Sequence, residues 1–177
     1  FGGIVGFKIL DNIFNLNLHW LWYPGSLFSI FGATYTAFLF NQARARDFWQ
    51  TPIQSAIHMQ IHAIMAGAVA MIFIQSGSIM VMSQILFIGI ILNLLIIFKE
   101  INFYHDTTDT KKAVALMTKG YYSKYFWIGV LIGNLIPLFL LIFFTESLLM
   151  PACLLVLIGI FLTEFVRIRI PQMIPLS

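Results

Sequence analysis

Two histidines, His58 and His62, stand four residues apart in an otherwise apolar run, and that spacing puts both on one face of a helix. Haem is the cofactor that intramembrane histidines first suggest. Two rings one turn apart on a single helix cannot take opposite axial positions of one haem, and the other apolar runs contain no histidine to complete the set. The two readings left are buried, hydrogen-bonded core histidines and a role in proton movement. Asn93, Glu100 and His105 follow on a later run and extend the pair into a candidate proton path that enters from one membrane face. Glu164 lies one turn from the end of the last run, where the expected state is a carboxylate reaching the headgroups or pairing with Arg167 or Lys99. Near the start, His19, Trp22 and Tyr23 combine a proton acceptor, a hydroxyl donor and an indole that can stack on a ring. One cysteine, Cys153, is too few for a disulfide framework or an iron–sulfur ligand set, so no metal, haem or cluster is expected in this chain.

The elements that must position these residues follow from composition. Hydrophobic residues make up 60% of the 177 and charged residues 10%, with a mean hydropathy of +0.91. A soluble domain of this size needs far more charge to cover its surface, so lipid must cover much of this chain. The class is all-α, a polytopic transmembrane helical bundle. About 20 apolar residues cross the hydrocarbon core, and runs of that size occur near 24–42, 53–75, 79–98, 125–145 and 149–168. The second has a local start signal, with Thr51 as N-cap, Pro52 at the first helical position and Gln54 completing a capping box. Gly129 and Gly133 in the fourth run, and Ala63, Ala66, Gly67 and Ala70 in the second, are small residues that let neighbouring backbones approach in lipid. Both helices are expected to face protein on that side.

The net charge of +3 is no nucleic-acid footprint, because the basic residues sit in the connections between apolar runs. Arg44, Arg46, Lys99, Lys111, Lys112, Lys119, Lys124, Arg167 and Arg169 share one side of the membrane, and Lys8 alone lies on the other. The positive-inside rule makes the shared side cytoplasmic. Residues 1–23 are then an outer interfacial segment and 24–177 the bundle, with the long connection after the third run read as a cytoplasmic loop. Arg44, Arg46 and Asp47 are read as a basic hairpin on lipid headgroups. The beginning at Phe1 is read as that of a fragment, and an outer start implies an odd number of earlier spans.

The stretch Tyr35 to Pro52, YTAFLFNQARARDFWQTP, is similar to the YT-GFLF-QAKGRD-WQSP signature of the NrfD-like polysulfide reductase membrane subunits. Glu100 with His105, Gly120-Tyr121-Tyr122 leading to Phe126-Trp127, Gly133 with Pro137, and the ending Pro171 to Ser177 agree with that resemblance in order. Ala45 and Pro171 stand where the family usually has glycine. The resemblance implies the last five of eight or more helices in a subunit of a bacterial inner membrane complex, a kind also found in alternative complex III. It implies electron exchange between menaquinone or ubiquinone and a ferredoxin-like iron–sulfur subunit, beside a molybdopterin or cytochrome catalytic subunit. Under that implication His19, Trp22 and Tyr23 are candidates for a quinone site, against the plainer reading of an interfacial aromatic belt. A secondary transporter and a structural anchor without a working quinone site are the alternatives.

Overall fold

A computed structural model describes residues 20, 22–41, 52–75, 78–103, 108–143 and 147–173. Their regular structure is helical throughout: α1 Trp22–Asn41, α2 Pro52–Phe73, α3 Ile79–Phe103, α4 Thr108–Lys119, α5 Ser123–Phe143 and α6 Leu149–Arg169, closed by a 3₁₀ turn Ile170–Met173. Four stretches among the described residues are long and apolar enough to cross a membrane: Ile53–Phe73, Ile79–Asn102, Ser123–Phe143 and Leu149–Arg169. The remaining expected span, α1, has 20 residues and no charged one, but Ser26, Ser29, Thr34, Thr36 and Asn41 dilute its apolar character. Helix α2 opens at Pro52, as a proline at the first helical position requires; the expected capping box is not seen, because Gln54 Oε1 is buried without a hydrogen-bond partner and Thr51 lies outside the described residues. The chain is a multi-pass membrane protein.

The connection after α3 departs from the expected loop. α3 continues past Lys99 and Glu100 to Phe103, and α4 follows as a separate helix. A polar face hides that helix from a hydropathy reading. Its other face buries Ala113, Val114 and Met117, and Trp127 Nε1–H ties it to α5 by donating to the Thr118 carbonyl at 3.0 Å.

Lipid tails are as apolar as leucine, so burying leucine does not by itself select which helix faces meet; close backbone approach and hydrogen bonds do. Gly133 of α5 lies directly on Gly159 of α6, where a Cβ on either would overlap the other's Cα. Gly129, one turn away, leaves just enough room for the Thr163 methyl. The expectation for α5 is met. On α2 the small residues do otherwise: Ala63, Gly67 and Ala70 are exposed in this chain, and a Cβ on Gly67 would meet nothing within 4 Å. The buried face of α2 instead carries His58, Ile61, Met65, Val69 and Ile72, with Met65 lying over Gly89 of α3.

Two apolar clusters result. One joins Met65, Val69, Ile72, Leu86, Ile90 and Val156; the other joins Ile97, Met117, Phe126, Val130, Val166 and Ile170. Along α3 the polar Asn93 falls between Ile90 of the first and Ile97 of the second, and along α6 Thr163 and Glu164 fall between Val156 and Val166. A polar layer therefore divides the core. Outward faces carry large apolar groups such as Phe28, Phe31, Leu95, Phe139 and Phe161, the surface that lipid or further helices must cover.

Candidate functional site

Four helices build the polar layer. α2 brings His58 and His62, whose ring centroids are 4.1 Å apart. α3 brings Asn93 and Glu100, seven residues apart and so on one face. α5 contributes Asn134, and α6 contributes Glu164 and Arg167.

Asn93 is the hub. Its Oδ1 lies 2.9 Å from His58 Nε2 and 3.1 Å from His62 Nε2, and its Nδ2–H donates to Asn134 Oδ1 at 2.8 Å. Asn93 and His58 are each 1% exposed and Asn134 2%, so none of these contacts is made by a group that water already satisfies. Across the histidines, His62 Nδ1 lies 2.8 Å from Glu164 Oε1, and His58 Nδ1 lies 3.7 Å from the same oxygen. Arg167 closes the cluster by donating from Nη1 to His58 Nδ1 and from Nη2 to Glu100 Oε2.

The local structure of α5 explains why Asn134 is available. Residues Leu131–Leu135 form a π-helical turn, with the Ile136 N–H donating five residues back to the Leu131 carbonyl. Pro137, buried just beyond, has no N–H to offer the Gly133 carbonyl, and a proline ring crowds that carbonyl in a regular helix. The widened turn relieves the crowding and points Asn134 into the bundle. π turns of this kind recur at functional sites.

Of the residues expected from sequence, the structure unites His58, His62, Asn93 and Glu100. His105 and His19 lie outside the described residues, as do Arg44, Arg46 and Asp47. Trp22 opens α1, and Tyr23 follows it 80% exposed. Among the described contacts none joins that end of α1 to the polar layer. Glu164 corrects the expectation of a headgroup-facing carboxylate: it turns inward to His62, while Arg167 pairs with Glu100. The rotation of α6 decides this, because Gly159 must meet Gly133 and the residues after it follow.

Glu164, Arg167 and Asn134 are the members that sequence reasoning did not bring to the site. The available signal was the i, i+3 pairing of opposite charges on α6. Donor atoms of His58, His62 and Glu164 lie within 4.8 Å of one another, close enough for one cation to touch all three. A separate depression of about 240 Å³, lined by Met80, Ser83, Gln84, Phe87 and Leu141, opens at the other end of α3 and contains none of these residues.

An ionisable cluster inside a membrane bundle is costly to keep, so it marks an ion or proton route, a ligand site or a counter-ion. Comparison with known families narrows that choice. The family described as "Polysulphide reductase, NrfD" matches residues 6–175. No curated relative and no solved structure matches the chain.

Proposed function

We propose a function for this chain from its membership of the polysulphide reductase NrfD family, to which it belongs over nearly its whole length. The family consists of integral membrane subunits of quinone-linked oxidoreductases, and this chain is of that kind. In the finer reading it exchanges electrons between a membrane quinone, menaquinone or ubiquinone, and an extrinsic ferredoxin-like iron–sulfur subunit. It anchors that subunit and a molybdopterin or cytochrome catalytic subunit to a bacterial inner membrane, with its own C-terminus cytoplasmic. The observation that carries this is the match over residues 6–175, which takes in every described helix.

The buried cluster supports the reading from the chemical side. Quinol oxidation releases two protons with its two electrons, and quinone reduction takes two up. A subunit that handles quinone must therefore pass protons, and His58, His62, Glu100 and Glu164 are groups able to carry them inside an apolar bundle. At about 1.5 Å per residue, His58 stands about 9 Å into α2 and Asn134 about 16 Å into α5, so the layer runs from the basic face to near mid-membrane.

Isolation of the complex through a tag on the full-length chain tests the proposal. An iron–sulfur subunit should co-purify, and its clusters should become reduced, by electron paramagnetic resonance, when a quinol analogue is added, or be reoxidised by a quinone analogue. A chain that purifies without an iron–sulfur partner, or clusters that respond to neither, would overturn it.

A further inference from the structure

Hydrogen positions in the cluster are fixed by its own chemistry. Asn93 Nδ2 donates to Asn134 Oδ1, so the atom that Asn93 turns to the two histidines is Oδ1, which can only accept. Both Nε2 atoms must therefore carry hydrogen. His58 Nδ1 is then a lone pair, and the Arg167 guanidinium donates to it. His62 Nδ1 has no such donor. It faces Glu164 Oε1 at 2.8 Å, both atoms are buried, and neither has another hydrogen-bond partner. Two lone pairs cannot face each other at that distance without a cation between them.

Charge and spacing together identify the cation: 2.8 Å is the span of a charge-assisted N–H···O hydrogen bond. The charged groups facing this point are Glu100 from α3 and Glu164 and Arg167 from α6; α2 adds the two histidines, and α5 adds only the uncharged Asn134. With both histidines neutral the group sums to one negative charge. One proton brings it to zero. A divalent metal would leave it positive and would have to displace Arg167 from His58 Nδ1, in an interior where an uncompensated charge is costly.

We propose that His62 and Glu164 form an intramembrane proton-binding site, with one proton carried on His62 Nδ1 and donated to Glu164 Oε1. As imidazolium, His62 has an acceptor for each N–H, Asn93 Oδ1 on one side and Glu164 Oε1 on the other. Arg167 stands three residues from Glu164 on the same helix and pairs with Glu100, so that the guanidinium balances one carboxylate and the proton on His62 balances the other. The purpose of such a site rests on the quinone-linked reading above; the position of the proton rests on the geometry and charge balance of the cluster.

Ring-¹⁵N-histidine labelling of the complete complex in lipid nanodiscs tests the site by NMR at neutral pH. One imidazolium ring is expected that disappears in His62→Gln, which assigns it, and that becomes a neutral Nε2–H ring in Glu164→Gln. His58 should be neutral throughout. A neutral His62 in the unmodified complex overturns the proposal without any need for Glu164→Gln to assemble. An imidazolium that survives Glu164→Gln also overturns it, and so does a neutral His62 whose signals move when Zn²⁺ is added or chelated, which would make the site a metal centre. Quinol oxidation is measured on the same preparations: an imidazolium in a complex inert to quinol keeps the proton site and removes the electron-transfer reading, and the reverse pattern does the opposite.

Discussion

Replacing Asn93 by leucine, close in size and apolar, tests whether the polar layer is a built network or filling. The substitution strips the acceptor from His58 Nε2–H and His62 Nε2–H and the donor from Asn134 Oδ1, three groups at once. In soluble proteins each orphaned buried group costs about 1–3 kcal/mol. Hydrogen bonds between membrane helices average only about 0.6 kcal/mol, because the separated helices find other partners. Three such losses at the lower scale give about 2 kcal/mol, and the bottom of the upper scale gives about 3 kcal/mol. Asn93→Leu should therefore destabilise the subunit by roughly 2–3 kcal/mol, measured as the shift in a reversible unfolding transition in mixed detergent micelles. Asn93→Asp separates the contributions: it keeps an acceptor for both histidines, and Asn134 can turn its amide to donate, so it should cost less than leucine. A leucine variant as stable as the parent, or more so, would mean that the three groups are satisfied without Asn93 and would refute the hub.

Gly159→Leu should lower stability and assembled yield, with an overpacking cost on the order of 1–3 kcal/mol or more, since a Cβ already overlaps Gly133; Gly67→Ala, which meets open space, should be neutral in the same unfolding assay. Cysteines placed at Ser78 and Lys112, both exposed, should react with an impermeant maleimide from opposite sides of the membrane, and labelling from one side would break the charge-based topology. Tyr23→Phe and His19→Ala should reduce quinol turnover at unchanged complex abundance; unchanged turnover and quinone affinity in both would make that stretch an aromatic belt.

Helix positions were legible because membrane spans announce themselves by length and lack of charge. Pro52 fixed a start to the residue, and the Gly129–Gly133 spacing marked the close face of α5. On α2 the same small-residue pattern, Ala63 with Gly67 and Ala66 with Ala70, finds no partner among the described residues of this chain, because such a stripe permits close approach without specifying what approaches. Helix α4 was missed for the converse reason: four membrane-length helices dominate any hydropathy scan, and twelve amphipathic residues carrying lysines do not stand out against them. At the site, the i, i+4 pair His58–His62 could be read from one helix. Convergence of Asn93, Asn134, Glu100, Glu164 and Arg167 depends on the rotations of three other helices, which no local pattern records.

Those rotations trace to one contact and one irregularity. Gly133 and Asn134 are neighbours in sequence within the π turn, and so face different directions around α5. Gly133 meets α6 and Asn134 meets α3, so α5 sits as a wedge between the two helices that carry the acidic and basic groups. The backbone contact at Gly133–Gly159 sets the rotation of α6, and thereby the direction of Glu164 and Arg167. The π turn ahead of Pro137 sets the direction of Asn134, which orients the Asn93 amide and, through it, both imidazole rings. Two apolar packing features, neither able to titrate, thus decide which nitrogen of each histidine holds hydrogen and which carboxylate it faces.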